Sequence, residues 1–206
     1  MTPIEHLTVS QLLEALASKT PAPGGGAVAA AVGALAGALG EMVIAYSVGK
    51  ASLEAHRAEL DGASTRLREA RERLLALARE DAEAFARLSE LRRLPPGDEG
   101  RVSEEPAAKR RVLDAPRATL EASIDLLVLL ETLTPITNRW LHSDLAIAAV
   151  LAEATARAAA WNVRVNLSLL DDPGAREALE RERERMTDDA AERAHRVEAG
   201  CRGEAS

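Results

Sequence analysis

The chain has 206 residues, and its 26 Lys and Arg residues against 33 Asp and Glu residues give a formal net charge of −7. This acidic balance argues against binding to nucleic acid or to an anionic membrane surface. Apolar residues make up 47% of the chain, aromatic residues only 2%, and Cys201 is its one cysteine. This composition favours closely packed helices over sheets and excludes an intrachain disulfide framework.

Proline, glycine and capping residues divide the helical pattern into six predicted helices. Their predicted ranges are about Val9–Ala17, Gly26–Gly49, Ser52–Leu94, Glu105–Leu133, Asp144–Leu170 and 172–200. Thr8, Ser143 and Asp172 are placed to cap the first, fifth and last of these helices. Residues 97–105 predict a polar surface loop, and Pro116 predicts a kink or a restart in the fourth helix. We therefore expect an all-α, up-and-down bundle that forms one domain over the whole chain, with the charged last helix at its periphery.

The second predicted helix is about as long as a membrane span, and two interpretations are open. Gly33 and Gly37 form a small-x-x-x-small pattern that also occurs in membrane helices. Alanine and glycine dominate the segment, however, and Glu41 lies in its apolar centre. These features favour a helix buried on all sides within a bundle over a membrane span. The N-terminus has no basic region followed by an apolar run, so we also expect a cytoplasmic protein.

Polar side chains interrupt the apolar rows of two predicted helices. In the third helix, apolar residues recur with a 3–4 alternation from Leu60 to Leu91, and Asp81 stands where an apolar side chain is expected. In the fifth helix, Asn166 interrupts a similar row, and Asn162 lies one turn before it. Burying such groups is costly unless they are hydrogen-bonded. Each is therefore either a satisfied structural residue or part of a site.

Two further segments are candidates for binding. The glycines Gly24–Gly26 let the backbone approach a ligand closely, the amides at a helix start attract anions, and Lys19 adds a positive charge. A tight turn between two helices would use the same residues. Ser143 and Asp144 would place a carboxylate in the first turn of a helix, although ordinary capping explains that pair equally well. The pair Glu192 and His195 lacks the second copy that a di-metal bundle site requires, so no metal site is predicted.

These segments, taken in order, resemble a known family. They are Ala17-Ser18-Lys19-Thr20-Pro21-Ala22-Pro23-Gly24-Gly25-Gly26 with the Gly33/Gly37/Gly40 helix behind it, Gly49-Lys50, Asp81-Ala82-x-Ala84-Phe85, Leu94-Pro95, Asn138-x-x-x-x-Ser143-Asp144 and Asn162-Val163-x-Val165-Asn166-Leu167. Their order and spacing are similar to those of the formiminotetrahydrofolate cyclodeaminase/methenyltetrahydrofolate cyclohydrolase family, the C-terminal domain type of formiminotransferase-cyclodeaminase. The resemblance covers nearly the whole chain, and the first motif is its most specific part.

The resemblance implies an all-α homodimer that acts on a tetrahydrofolate derivative without a metal or another cofactor. In the cyclodeaminase reaction, N10 of 5-formiminotetrahydrofolate attacks the formimino carbon and ammonia leaves, which gives 5,10-methenyltetrahydrofolate. In the cyclohydrolase reaction, water opens the methenyl bridge to give 10-formyltetrahydrofolate. Both reactions pass through a tetrahedral carbon between two nitrogens and require groups that move protons. A folate-binding or regulatory protein of the same fold that has lost turnover is the alternative.

The resemblance also suggests roles for individual residues. Asp144 is the first candidate for proton transfer or pterin binding, and Asp81 is the second carboxylate, so that two acids can divide acid and base duties. The expected substrate-binding residues are Lys19, Pro23, Gly24, Gly25, Gly26, Lys50, Asn138, Ser143, Asn162 and Asn166. We expect the lysines and glycine amides to hold the substrate with its anionic glutamate tail, and the asparagines to bind the pterin or to order the carboxylates. The site can lie within one subunit or between two.

Overall fold

The computed structural model describes residues 3–203, so both ends of the predicted domain 1–206 lie outside the described part. Its six α-helices are α1 (Val9–Ala17), α2 (Gly25–Ala45), α3 (Arg57–Arg93), α4 (Glu99–Leu133), α5 (His142–Asn166) and α6 (Pro173–Arg202). Residues 3–203 contain no β-strand. The predicted all-α class is confirmed. Several predicted ends differ. Helix α2 stops at Ala45 rather than Gly49, a 3-10 helix, Ala51–His56, precedes α3, and α5 stops at Asn166 rather than Leu170 because a second 3-10 turn, Leu167–Leu169, follows it; the start of α4 is described below.

Helices α2 to α5 form an up-and-down bundle in which each helix packs against the next and α5 closes the ring against α2. Helix α6 packs on the outside of α4 and α5. Leucines of α3 and α4 fill the core, while α2 and α5 contribute mainly alanines. Small residues bring the helices close together: a Cβ added at Gly33 would lie 2.9 Å from the Thr155 side chain of α5. The small-x-x-x-small pattern is thus used for packing between helices of the bundle.

Helix α2 is the one helix within residues 3–203 that is long and apolar enough to cross a membrane, and 56% of its most apolar stretch is buried inside the bundle. Glu41 is accommodated by an ion pair with Arg71 of α3, with 3.3 Å between Nε and Oε1. The expectation that this helix is buried on all sides is wrong, because Leu35 and Tyr46 are each 63% exposed. One side of α2 therefore has no cover in a single protomer.

Two of the three predicted helix caps are confirmed. Thr8 and Gln11 form a reciprocal capping box, in which the Thr8 hydroxyl accepts the Gln11 backbone N–H at 3.2 Å. Asp172 accepts the Gly174 N–H at 2.9 Å, with a proline at the first helical position. The predicted cap at Ser143 is wrong. Helix α5 already begins at His142, directly after a 3-10 turn, so Ser143 lies inside the helix.

The predicted polar loop over 97–105 is also wrong for most of its length. The Asp98 side chain caps α4 by accepting the Arg101 N–H at 3.0 Å. Arg101 then pairs with Glu105 one turn later, at 2.7 Å between Nε and Oε2. These local interactions start the helix at Glu99 in spite of its polar sequence. Helix α4 also continues through Pro116 without a restart.

Helices α3 and α4 project beyond the start of α2 as a hairpin. Asp81 is level with the first turn of α2, and α3 continues past it for about 18 Å. A small apolar cluster, separate from the main core, holds this projection together. Its buried members are Ala84, Leu88, Leu91, Ala108 and Val112.

Candidate active site

Asp81 projects from α3 against the start of α2. A Cβ added at Gly26 would lie 2.2 to 2.4 Å from the atoms of the Asp81 carboxyl group, a separation at which atoms overlap. Position 26 therefore requires glycine as long as the carboxyl group stays where it is. The backbone of Ala27, the next residue of α2, provides a hydrogen bond to this group, as the unpaired amides of a helix start do for anions.

The environment of Asp81 shifts the pKa of its carboxyl group. Burial raises the pKa of its carboxyl group to about 6, and the hydrogen bond from the Ala27 backbone opposes this rise only in part. A carboxyl group with a pKa near 6 can both accept and release a proton close to neutral pH. Perturbed carboxyl groups of this kind are concentrated at functional sites.

Asn162 brings α5 to the same glycines. Its Oδ1 lies 3.9 Å from the position of a Cβ on Gly25. Its Nδ2 donates to the Ala158 carbonyl at 3.0 Å. This bond to its own helix orients the amide group, so that the oxygen faces Gly25. The carboxyl group of Asp81 from α3 and the amide oxygen of Asn162 from α5 thus lie next to the glycines at the start of α2.

The two lysines predicted to bind substrate lie at opposite ends of α2. Lys19 is exposed in the loop before α2, where Pro23 is partly buried after a cis peptide bond. Lys50 is exposed beyond the far end of α2, and it follows Gly49, whose φ of +82° favours glycine. Within the described range 3–203, neither lysine forms an ion pair.

Asn138, Ser143 and Asp144 lie at that far end as well. The backbone N–H of Asn138 donates to the Ser47 hydroxyl at 2.9 Å. This bond joins the segment before α5 to the turn that follows α2. Ser143 is exposed and Asp144 is partly buried in the first turn of α5. Since α5 runs antiparallel to α2, Asp144 precedes Asn162 by about five turns, or about 27 Å. A single protomer therefore does not bring Asp81 and Asp144 into one site.

Asn166 forms a hydrogen bond between α5 and α4 that could not be predicted from the sequence. Its Nδ2 donates to the Val112 carbonyl of α4 at 2.9 Å. In an α-helix that carbonyl would accept the N–H of the residue four positions later, which here is Pro116 and has no N–H. The Asn166 amide thus replaces a backbone hydrogen bond that the proline removes.

Three larger hollows of a single protomer, of about 860, 480 and 400 Å³, border α3, and among the predicted site residues Pro23 alone lines one of them. The second is mostly apolar and lies between α1, Pro23 and α3. Neither carboxylate, Asp81 or Asp144, lines any of the three. Across residues 3–203, no group of three or more His, Cys, Asp or Glu side chains is placed to hold a metal ion.

Exposed apolar residues cluster on and next to α2 and α5. Trp140 is 89% exposed and Trp161 is 64% exposed; the sequence had left both open as either core or interface residues. We define the α2/α5 face by its exposed apolar residues: Leu35, Tyr46, Trp140, Ile147, Val150, Trp161 and Val165. The seven-residue spacing of 140, 147 and 161 was the signal for such a face.

The fold and this geometry define an all-helical bundle protein with a partly buried carboxyl group at the glycine-rich start of a central helix. Comparison with known proteins then gives the family. Residues 8–185 match the family described as formiminotransferase-cyclodeaminase, and the chain belongs to that family. The family predicted from the sequence motifs is thereby confirmed.

Individual relatives agree with this assignment. The chain is 31% identical over 169 residues to a methenyltetrahydrofolate cyclohydrolase of Methylorubrum extorquens, a match that covers 80% of this chain and 81% of that protein. It is 31% identical to a formimidoyltransferase-cyclodeaminase of Gallus gallus, of which it spans only 30%. A crystal structure of formiminotetrahydrofolate cyclodeaminase from Thermotoga maritima superposes with a TM-score of 0.87 at 30% identity, over 97% of this chain and 98% of that one.

Proposed function

We propose that this protein is an enzyme of tetrahydrofolate one-carbon interconversion that acts on the carbon between N5 and N10. The observation that carries the proposal is the Asp81 carboxyl group, which is partly buried, packs directly against Gly26 and has a pKa raised to about 6. Both reactions named among the relatives form or break carbon–nitrogen bonds through a tetrahedral carbon, and both need one group that takes up and returns a proton.

The first reaction we propose is hydrolysis of 5,10-methenyltetrahydrofolate. The ionised Asp81 carboxylate takes a proton from the water molecule that attacks the methenyl carbon. The protonated carboxyl group then returns that proton to N5 as the carbon–N5 bond breaks. The remaining hydroxyl proton is released to solvent as the formyl C=O bond forms, which removes the positive charge of the methenyl cation and leaves 10-formyltetrahydrofolate. Because these proton transfers balance the reaction, we propose that it needs no cofactor besides the folate substrate. The cyclohydrolase relative supports this reaction, since the match covers most of both chains.

The second candidate reaction is the cyclodeaminase reaction on 5-formiminotetrahydrofolate. The near-complete superposition on the Thermotoga maritima cyclodeaminase favours it. Here the formimino group enters in its protonated form, and Asp81 would take the proton from N10 as N10 attacks the formimino carbon. Asp81 would then give that proton to the resulting amino group, which leaves as ammonia while the methenyl cation forms. The same residue serves both reactions, so the substrate pocket decides between them.

One spectroscopic assay tests the proposal and separates the two reactions. Methenyltetrahydrofolate absorbs in the near ultraviolet, so its loss reports hydrolysis and its appearance from the formimino compound reports cyclisation. We expect the wild type to accelerate one of them and Asp81→Asn to lose at least about 100-fold in kcat. Asp61→Asn is the matched control, because Asp61 is exposed on the same helix. A wild type that binds folate but accelerates neither reaction would establish the non-catalytic alternative.

We also propose that two protomers associate through the α2/α5 face. The face is about 30 Å long and two helices wide, which gives on the order of 600 Å² per protomer, close to the roughly 800 Å² of a standard interface. Exposed tryptophans are typical of the centres of interfaces rather than of free surfaces. A second copy of the chain is the occupant that this proposal commits to.

A further inference from the structure

Three glycines of α2 lie directly against side chains of α3, in steps of seven residues along both helices. A Cβ added to any of the three would come within 3.1 Å of its partner in α3. The pairs are Gly40 with Leu67, Gly33 with Leu74, and Gly26 with Asp81. Seven residues are close to two helical turns, so the pairs follow one another along a single side of α3. The series stops at Asp81 because α2 begins at Gly25.

Phe85, the single phenylalanine of the chain, lies on this same side of α3, one turn beyond Asp81. At that spacing the Cβ atoms of the two residues are roughly 5–6 Å apart. Helix α2 covers this side of α3 only as far as Asp81, and the Phe85 side chain is 45% exposed. Leu88 and Leu91, further along α3, are instead buried in the small cluster with α4. Phe85 therefore presents an aromatic ring just beyond the start of α2, next to the proposed proton-transfer group.

The chemistry of the proposed substrate indicates which part of it would meet this ring. The reacting carbon is bonded to N10, and N10 is bonded directly to the aminobenzoyl ring, whose far end carries the glutamate tail. The tail is anionic and costly to bury, so this end of the substrate has to point towards solvent. The pterin, which is rich in hydrogen-bonding groups, suits the polar side of the site, where the Asn162 oxygen faces Gly25.

We propose that Phe85 binds the aminobenzoyl ring of the substrate by stacking and so holds the reacting carbon at the Asp81 carboxyl group. The inference rests on the proposed function. Offset stacking of two aromatic rings stabilises a complex beyond the apolar area that it buries. Phe85 exchanges no proton, and its contact with the ring is the same before and during the reaction. Its contribution therefore lies in substrate binding and determines KM rather than kcat.

Substitutions at position 85 test this role in the absorbance assay. Phe85→Leu keeps an apolar side chain but removes the aromatic ring, and we expect KM to rise about 5–10-fold with kcat within about twofold of the wild type. Phe85→Tyr keeps the ring and should keep the wild-type KM. Val102→Ala is the matched control, because Val102 is an exposed apolar residue of the same projecting hairpin. It should change neither constant.

Two fragments of the substrate identify the ring that Phe85 contacts. 4-Aminobenzoylglutamate contains the aminobenzoyl ring and the tail, whereas pterin-6-carboxylate contains the pterin alone. Their affinities for the wild type and the variants are measured by titration calorimetry. We expect Phe85→Leu to bind 4-aminobenzoylglutamate about 5–10-fold more weakly and pterin-6-carboxylate as the wild type does. Phe85→Tyr should bind both fragments normally.

Several results would overturn the inference while the proposed function stands. They are a wild-type KM for Phe85→Leu, a loss confined to kcat, or weaker binding of the pterin fragment alone. A lower mass of Phe85→Leu in light scattering would assign the ring to a subunit contact and would also overturn it. If the wild type accelerates neither reaction, the proposed function fails instead. Fragment binding then still decides the role of Phe85, because an affinity for 4-aminobenzoylglutamate that is unmeasurable in the wild type or unchanged in Phe85→Leu refutes it.

Discussion

Gly26→Ala tests the contact on which the site depends. The added Cβ would lie 2.2 Å from Oδ1 and 2.4 Å from the other two atoms of the Asp81 carboxyl group, so the side chain has to leave its position at the start of α2. Overpacking of this kind costs about 2 kcal/mol. For a chain of this length, that lowers the melting temperature by about 4–8 °C. We expect kcat to fall at least about 100-fold, because the proton-transfer group is displaced.

The neighbouring glycines provide matched controls. A Cβ at Gly24 meets no atom within 4 Å, and one at Gly25 lies 3.9 Å from the Asn162 oxygen. Alanine at either position should leave stability unchanged or raise it slightly, since alanine restricts the unfolded chain more than glycine does. Differential scanning calorimetry and the absorbance assay on all three variants separate a specific clash from a general need for glycine.

A double-mutant cycle gives the decisive result. In an Asp81→Ala background the carboxyl group is absent, so Gly26→Ala should cost little, and the coupling free energy between the two positions should be about 2 kcal/mol. If the two changes are additive in the free energy of unfolding, or if Gly26→Ala is as active as Gly24→Ala, the described contact does not form and the reasoning fails.

Three further predictions concern the Asn166 hydrogen bond, the pKa of Asp81 and the dimer. Asn166→Ala should lower the unfolding free energy by about 1–2 kcal/mol with an unchanged KM, and Pro116→Ala should restore stability in urea melts by returning the missing N–H; no rescue would contradict this role. Asp81→Asn should match the wild type in stability below pH 3.8, because the wild-type carboxyl group is then protonated in both states. As the pH rises to about 6, the variant should become increasingly more stable than the wild type, by up to about 3 kcal/mol above that pH, because the wild-type carboxyl group must ionise in a partly buried place. Equal pH dependence of both proteins would refute this. Trp161→Glu should shift the mass in light scattering from twice 21.9 kDa to 21.9 kDa. Val102→Glu, at an exposed position of α4, should not; an unchanged Trp161 variant would place the dimer contact elsewhere.

Local signals in the sequence predicted the fold well. Thr8 and Asp172 were recognised as caps because their hydrogen bonds are made to the next two or three residues. The same reasoning failed at Ser143, because the 3-10 turn that begins at Asn138 leads the chain into α5 before the serine is reached. It failed again near Asp98. The polar composition of residues 97–105 led to a predicted loop, although Asp98 is a good capping residue and starts α4.

The candidate site was predictable only in part, since its geometry depends on contacts far apart in the chain. Asp81 stood out as a carboxylate in an apolar row, and the structure places it at the glycines as the motif implied. The role of Asn166 required knowledge of which carbonyl Pro116 leaves free. The distance between Asp81 and Asp144 required the antiparallel pairing of α2 and α5, which a helical period alone does not encode.

The projecting hairpin of α3 and α4 has a consequence for how the molecule loosens. Its small apolar cluster, Ala84 to Val112, is separate from the main core and touches the ring at Leu169 and Asn166, so the tip beyond these contacts can open while the main core stays packed. Amide hydrogens near the turn at Pro95–Gly97 should therefore exchange with deuterium earlier than those of α2. The same turn is a natural position for a genetically inserted reporter, because added residues there extend into solvent.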